Sequence, residues 1–185
     1  MDPEELVTDR ALSPYSFREK VGRVLWGVVQ GTVFRWTFHN WYGVRRRLLG
    51  LFGAKLHPSV RIRRSVLVEC PWNLTMGPDS SVGDRAIVYC LGPVTVGART
   101  TISQGAHICA GSHDYRRRSM PLIRPPVDIG SDVWIAADAF VGPKVRVGDG
   151  AILGARAVAT MHLEPWTIYS GNPAQPVKAR GKIED

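Results

Sequence analysis

The chain has 185 residues, of which 44% are hydrophobic, and a formal net charge of +8 at pH 7. This length suits one folded domain with an appended segment. Glycine (19) and proline (13) are spread among aliphatic residues, which excludes a disordered or low-complexity chain. The positive charge favours an anionic partner. Because no zinc-finger, helix-turn-helix or aromatic RNA-binding motif accompanies it, we expect no nucleic acid.

The cysteines indicate a reducing compartment. Cys70, Cys90 and Cys109 are odd in number and form no CxxC motif, which is typical of buried thiols. The first residues are acidic where a secretory signal would be basic. We therefore expect a cytoplasmic protein.

The N-terminal part of the chain divides in two. Residues 1–15 are polar and are expected to be flexible. Residues 16–55 are helical in pattern and rich in aromatic residues, but polar residues interrupt them too often for a bilayer span. An aromatic stripe at helical spacing usually packs in a core, which favours packing on the main domain or on another subunit. The alternative is peripheral contact with an anionic membrane at its inner face, with tryptophans at headgroup depth.

Residues 56–168 carry an aliphatic residue at every sixth position, often followed by glycine. This period predicts an all-β solenoid, a parallel β-helix in which three six-residue units form one triangular coil. The small residue fits a corner where a Cβ would crowd the next coil or would need positive φ. The clearest members of the repeat are Met76, Val82, Val88, Val96, Ile102, Ile108, Ile129, Ile135, Val141, Val147, Leu153 and Ala159.

Two steps break the period of six. Between Val88 and Val96 the step is eight residues, which predicts a two-residue bulge. Between Ile108 and Ile129 the step is twenty-one, so residues 114–128 are expected to leave the coil as an external loop. Such loops commonly build the binding face of a solenoid.

Three further segments carry a family resemblance. They are Gly111-Ser112-His113-Asp114-Tyr115, Val133-Trp134-Ile135-Ala136-Ala137 and Gly171-Asn172-Pro173-Ala174. They resemble motifs of the left-handed β-helix acyltransferases, and within that family the chain is most similar to the colanic acid biosynthesis acetyltransferases. The resemblance implies a trimer of left-handed parallel β-helices with an N-terminal helical segment and an active site between two subunits. It also implies acetyl-CoA as donor and, as acceptor, a sugar hydroxyl of a bacterial exopolysaccharide or its precursor.

The resemblance further implies that His113 is the general base. A sugar hydroxyl is a poor nucleophile, and an imidazole can remove its proton as it attacks the thioester. A base works better when an acceptor holds its other nitrogen, and Asp114 and Asp138 are the carboxylates nearest to this role. A backbone N–H along the coil edge is the expected oxyanion donor.

The remaining site residues also follow from the resemblance. Trp134 would wall the acetyl-CoA pocket, and Ala137 would lie at its thioester end. The pantetheine arm and the phosphates would be met by Ala155, Thr160, Met161, Lys178 and Arg180, the last two in a C-terminal tail of residues 169–185 that closes the site. On the acceptor side the predicted residues are Cys90, Tyr115 and Arg116, with the other arginines of the loop available to steer an anionic glycan.

Three alternatives remain open. Carbonic anhydrases of the γ type use the same scaffold with zinc held by histidines, but the repeat does not bring His107, His113 and His162 together, and we expect no metal. A non-enzymatic scaffold or membrane-associated assembly protein would explain the aromatic N-terminal segment. An acetyltransferase acting on an antibiotic hydroxyl or a sugar amine would keep the donor and change the acceptor.

Overall fold

The computed structural model of the chain describes residues 13–181 and residue 183. The segment expected to be flexible, residues 1–15, therefore lies mostly outside the described residues. The end of this segment contacts the rest of the protein. The carbonyl oxygen of Pro14 accepts a hydrogen bond from Arg124 at 2.7 Å. The Tyr15 ring lies beneath the guanidinium groups of Arg23 and Arg124, at 4.2 and 4.7 Å. These contacts correct the predicted boundary.

The N-terminal segment is helical. It consists of α1 (Phe17–Val29), a π-helical turn (Gln30–Phe34) and α2 (Tyr42–Leu51). Ser16 and Glu19 form a capping box: the Ser16 hydroxyl accepts from the Glu19 N–H, and the Glu19 carboxylate accepts from the Ser16 N–H. The inner side of the segment packs on the first coil, where Trp26 is 1% exposed and its Nε1 donates to the Val68 carbonyl at 2.6 Å.

A buried arginine fixes α2 to the turn before it and to the first coil. Arg45 is fully buried, and its guanidinium donates to the carbonyl oxygens of Ile62, Phe38 and His39 at 2.6, 2.9 and 2.8 Å and to the Thr37 hydroxyl at 2.7 Å. Arg45 is the first of three consecutive arginines, at residues 45–47. Because these four acceptors occupy its guanidinium, it is unavailable to an anionic partner.

Residues 55–170 form the predicted parallel β-helix, with three sheets as its faces. Sheet A contains β1 (Lys55–Leu56), β4 (Leu74–Met76), β7 (Val94–Val96), β12 (Val127–Ile129) and β15 (Arg146–Val147). Sheet B contains β2 (Arg61–Ile62), β5 (Ser81–Val82), β8 (Thr101–Ile102), β13 (Trp134–Ile135), β16 (Ile152–Leu153) and β18 (Thr167–Ser170). Sheet C contains β3 (Leu67–Val68), β6 (Ile87–Tyr89), β9 (His107–Cys109), β14 (Phe140–Val141) and β17 (Val158–Ala159). Each coil passes from sheet A to B to C, and the connections are called the A–B, B–C and C–A corners.

The interior confirms the predicted repeat, because all twelve aliphatic positions are at most 3% exposed. In the upper coils a residue stacks on the one eighteen positions later, as Ile135 does on Leu153. In the lower coils the step is twenty, as between Val82 and Ile102. The difference arises because each of those coils carries two extra residues at its C–A corner, a bulge that the sequence indicated only between Val88 and Val96.

Crowding, and not backbone conformation, explains the glycines of the repeat. A Cβ on Gly97 would lie 2.5 Å from the Gly130 carbonyl carbon, and one on Gly83 would lie 2.6 Å from the Gln104 nitrogen. Neither glycine has a positive φ. Positive φ falls two residues later in the corner, on Arg85 (60°) and Arg99 (53°).

The external loop is a β-hairpin between sheets C and A. It consists of β10 (Ser112–His113) paired antiparallel with β11 (Leu122–Ile123). Residues 127 and 128 already belong to β12, so the predicted loop ends two residues earlier than expected. Arg124 forms an ion pair with Glu19 that fastens the base of the hairpin to α1, so this arginine is not free to steer an acceptor.

The C-terminal tail returns along the edge of sheet B. Strand β19 (Gln175–Ala179) pairs antiparallel with β18. None of the helices in the described ranges is long and apolar enough to cross a membrane.

Candidate active site

His113 projects from the hairpin with one ring nitrogen held. Its Nδ1 lies 2.6 Å from the carbonyl oxygen of Met120 across the hairpin, and the side chain is exposed. A carbonyl oxygen can only accept, so Nδ1 carries a proton, and in the neutral ring Nε2 keeps its lone pair. The sequence did not indicate Met120, because a backbone carbonyl can come from any residue type.

The two carboxylates that were candidates for holding the second ring nitrogen of His113 have other partners. Asp114 accepts hydrogen bonds from the backbone N–H and the Nε of Arg116, at 3.2 and 3.1 Å. The hydrogen bond from Arg116 lowers the pKa of Asp114. Asp138 lies at a B–C corner with φ 57°, and its carboxylate is 3.8 Å from the Nε of Arg156.

The B–C corner changes character halfway up the solenoid. From the strand register, one corner position is occupied in successive coils by Arg64, Asp84, Gln104, Ala137 and Ala155. Long polar side chains thus give way to two alanines, of which Ala155 is exposed and Ala137 half-buried. Neither alanine N–H donates to an acceptor among the described residues. Ala137 and Ala155 are called the alanine track below. Their small side chains and two unpaired amide donors fit a linear arm that contains amide carbonyls.

Trp134 stands beside this track on sheet B. It is 47% exposed, and its Nε1 donates to the Ser103 hydroxyl at 2.9 Å. Thr160 and Met161 are exposed at the next C–A corner, after β17. All three lie on the outer surface of the upper coils, but Thr160 and Met161 are separated from Ala137 and Ala155 of the same chain by the width of sheet C.

The two basic residues of the tail differ in their contacts. Lys178 is exposed on β19, and its ammonium group has no hydrogen bond or ion pair within residues 13–181. Arg180 instead donates through Nη1 to the carbonyls of Asp132 and Gly150, at 2.6 and 2.9 Å, on the A–B corner. Its Nε and Nη2 are the groups left for a phosphate.

The predicted acceptor residues separate into two environments. Tyr115 and Arg116 are exposed on the hairpin directly after His113, and Tyr115 is 83% exposed. Cys90 is fully buried in the bulge, where its Sγ donates to the Cys70 carbonyl at 3.2 Å. Burial raises the pKa of Cys90 to about 11. The prediction that Cys90 contacts an acceptor is therefore wrong, because its side chain points into the coil.

One chain does not bring His113 to the alanine track. The hairpin leaves from the C–A corner, the track follows the B–C corner, and the width of sheet C lies between them. The outer side of sheet C carries mostly apolar residues: the exposed Leu67 and the half-buried Ile87, His107, Phe140 and Val158.

The other histidines have protein neighbours. The His107 ring packs edge-on between Tyr89 and Phe140, with centroid distances of 6.3 and 5.2 Å, and burial lowers the pKa of His107. His162 Nδ1 accepts from the backbone N–H of Arg146 at 3.0 Å. No cluster of three or more histidine, cysteine, aspartate or glutamate side chains suited to a metal ion occurs in the described part of the chain.

Comparison with known proteins agrees with this architecture. Residues 126–160 match the family model "Bacterial transferase hexapeptide (six repeats)". The chain is 41% identical over 160 residues to the putative colanic acid biosynthesis acetyltransferase WcaF of Escherichia coli, which covers 86% of this chain and 88% of that protein.

Solved structures share the fold at lower identity. A maltose O-acetyltransferase from Clostridium difficile superposes with a TM-score of 0.80 at 21% identity, over 90% of each chain. A hexapeptide-repeat acetyltransferase from Vibrio cholerae in complex with acetyl coenzyme A gives 0.73 at 20% identity, over 97% of this chain and 98% of that one. The relative from Escherichia coli shares 41% identity over most of both lengths. The protein therefore belongs to the hexapeptide-repeat acetyltransferases, together with the colanic acid biosynthesis acetyltransferases.

Proposed function

We propose that the protein transfers the acetyl group of acetyl-CoA to a sugar hydroxyl of a bacterial exopolysaccharide, or of its precursor, with His113 as general base. The observation that carries the proposal is the imidazole whose Nδ1 is held by the Met120 carbonyl at 2.6 Å. The similarity to a protein named as a colanic acid biosynthesis acetyltransferase supports the acceptor class.

The proposed mechanism uses five residues of the protein. Bound acetyl-CoA supplies the acetyl group as an activated thioester. The free Nε2 of His113 removes the proton of the acceptor hydroxyl as it attacks, and the Met120 carbonyl stabilises the imidazolium that forms. Nε2 then returns the proton to the departing sulfur. The N–H groups of Ala137 and Ala155 bind the arm, and Lys178 pairs with a phosphate.

We further propose a homotrimer. His113 and the alanine track occupy different corners of one solenoid, so a cyclic assembly in which each hairpin faces a neighbour's track completes a site at every interface. The half-buried apolar residues of sheet C provide a surface that such packing covers.

The outer side of α1 supports peripheral contact with an anionic membrane. Its apolar residues follow i, i+4, i+7, i+8 and i+11, on the side opposite the buried Trp26, and are 41–80% exposed. They are Phe17, Val21, Val24, Leu25 and Val28. Trp36 and Phe38 extend the patch at 84% and 66% exposure, with exposed Arg18, Lys20 and Arg35 around it. We propose that anionic lipid headgroups cover this surface.

Vesicle sedimentation tests this contact. The wild-type protein should sediment with phosphatidylglycerol vesicles and not with phosphatidylcholine vesicles, and Val28→Asp should release it. Val177→Asp, at an equally exposed position on β19, should not. If Val28→Asp leaves vesicle binding intact but changes the oligomeric mass, the patch is a contact between subunits and the membrane proposal fails.

The catalytic proposal is tested by thiol release from acetyl-CoA over a panel of sugars and exopolysaccharide fragments. Wild-type release should depend on the acceptor, and His113→Ala should lower kcat by about 100- to 10,000-fold without changing the affinity for CoA, because a general base contributes on that order. His113→Asn, which keeps a polar side chain, should fail equally. Equal turnover in wild type and His113→Ala would refute the role of His113.

A further inference from the structure

A cleft opens on the outer face of sheet B in the lower coils. Its volume is about 370 Å³, and it lies between the start of α2 and the strands β2, β5 and β8. A pocket of this size holds a small ligand. Its lining includes Tyr42, Arg61, Ser81, Thr101, Ser103 and Gln104.

The cleft adjoins the proposed acetyl-CoA site. Ser103, which lines the cleft, accepts the hydrogen bond from Trp134 Nε1 at 2.9 Å. Gln104, also in the lining, occupies the corner position one coil below Ala137. The upper end of the cleft is therefore in contact with the residues placed at the thioester end of the track.

The direction of the track indicates what the cleft receives. The residues proposed for acetyl-CoA rise from Ala137 through Ala155 to Lys178, towards the C-terminal end of the solenoid. Because the phosphates belong at that upper end, the reacting thioester lies at the lower end, beside Trp134. An acceptor must then approach from the coils below, where the cleft lies.

The lining suits an acidic saccharide. The hydroxyls of Ser81, Thr101 and Ser103 and the amide of Gln104 can each pair with sugar hydroxyls. Arg61 is exposed and forms no ion pair with the residues that the structure describes. These groups combine neutral hydrogen-bonding partners with an available guanidinium.

The second arginine of the lining, Arg63, has partners within the protein, unlike Arg61. The Nε of Arg63 is 3.6 Å from the Asp84 carboxylate, and its Nη1 contacts His39. Asp79 contributes one carboxylate at the A–B corner, so two arginines face a single acidic residue in the lining. The guanidinium that remains for a ligand is that of Arg61.

We propose that this cleft binds the acceptor glycan and that Arg61 pairs with an anionic group on it, either a uronate carboxylate or a phosphate. The inference rests on the proposed acetyl transfer and specifies its acceptor as an acidic saccharide. It gives a role to Arg61, one of the three arginines at residues 61–64.

Calorimetric titration with three probes tests the inference. Wild-type protein saturated with CoA is titrated with methyl α-D-glucuronide, α-D-glucose 1-phosphate and the neutral methyl α-D-glucoside. Saturating CoA occupies the phosphate sites of the track, so the probes report on the cleft. At least one anionic probe should bind about tenfold more tightly than the neutral one, as expected for one charge-assisted guanidinium pair. The anionic probe that binds more tightly than the neutral one identifies the anion as a carboxylate or a phosphate.

Three variants test whether Arg61 causes the preference for the anionic probe. Arg61→Ala should reduce the preference for the anionic probe to less than about twofold, and Arg61→Lys should retain part of it. Arg146→Ala changes an exposed arginine at a strand position on sheet A and should leave the preference unchanged. Equal binding of all three probes to wild type, or equal losses in Arg61→Ala and Arg146→Ala, would overturn the inference.

The CoA titration separates this inference from the proposed function. If CoA does not bind and no thiol is released, acetyl transfer is refuted, whereas the anion preference is still measured on the protein without CoA. If acetyl transfer proceeds but Arg61→Ala keeps the full preference, only the acceptor assignment fails.

Discussion

The two buried cysteines lie within one hydrogen-bonded pair of bulges. Cys90 Sγ accepts from the Cys70 N–H at 3.3 Å and donates to the Cys70 carbonyl. Desolvation raises the pKa of Cys70 to about 12 and that of Cys90 to about 11. Since the thiolate is the reactive form, both are protected chemically as well as sterically.

We therefore expect one fast-reacting thiol in the native protein. With a disulfide reagent at about pH 8, Cys109, which is half-buried, should react first, and the other two should react only on unfolding. Cys109→Ser should remove the fast phase. Three fast thiols in the native wild-type protein would contradict the buried bulge.

Glycine crowding gives a second prediction at this scale. Gly97→Ala should destabilise the protein by about 3 kcal/mol, because the new Cβ would force the coils apart at Gly130. Gly27→Ala in α1 meets no atom within 4 Å and should stabilise it by about 0.5–1 kcal/mol. Urea unfolding of both variants beside wild type measures the difference. A neutral Gly97→Ala would show that the corner has room for a side chain.

Single residues show how far sequence reasoning reaches. The sequence singles out His113 as a candidate base because its residue type suits that chemistry and a motif surrounds it. Met120 was not, because its contribution is a carbonyl brought across a hairpin by folding. Cys90 was misassigned for a related reason: the two extra residues of a bulge can point inward or outward, and the sequence pattern does not distinguish the two.

Among the elements, α2 depends on one buried guanidinium. Arg45→Leu should destabilise the protein by about 3 kcal/mol, because the Thr37 hydroxyl and three carbonyl oxygens would each lose a charged donor inside the core. Arg45→Lys should retain only a small part of this stabilisation, since one ammonium cannot reach all four acceptors. Arg47→Leu, at an exposed position of the same helix, is the matched control and should be near neutral in urea unfolding. Equal stability of the Arg45 and Arg47 variants would contradict this role.

The free energy of unfolding should depend on pH through His107, which lies on sheet C. Burial between Tyr89 and Phe140 lowers its pKa below the ordinary value of 6.5. The unfolded chain therefore binds this proton first as the pH falls, so the contribution of His107 to stability is complete above the ordinary pKa and is lost below it.

The corresponding measurement is the free energy of unfolding from about pH 7.5 to about pH 5. His107→Phe keeps an aromatic ring between the same neighbours and should reduce the loss of stability on acidification. A wild-type curve that parallels the variant throughout this range would contradict the assignment.

The elements themselves were largely predictable, because a period of six fixes which residues face inward. The strands and the departure of the loop followed from that period, and the N-terminal helical segment followed from its own residue pattern. The capping box at Ser16 and Glu19 was not anticipated. The twenty-residue step of the lower coils and the hairpin within the loop were missed. Both depend on how successive coils stack, and neither changes the repeat itself.

At the scale of the whole molecule, we propose that two chains share each site. The sequence suggested this only through family resemblance, since no local pattern records which corner of one solenoid faces which corner of another. The structure supports it by placing His113 and the alanine track at different corners of sheet C.

Complementation between inactive subunits tests this claim most directly. His113→Ala lacks the base, and Ala155→Trp obstructs the exposed track, so each should be inactive alone. The two chains are co-expressed with different tags, and assemblies that carry both tags are purified. A mixed trimer of either composition contains one interface with both parts intact, so thiol release should recover to about one third of the wild-type rate. Mixed assemblies no more active than their parents would show that each chain builds its site alone.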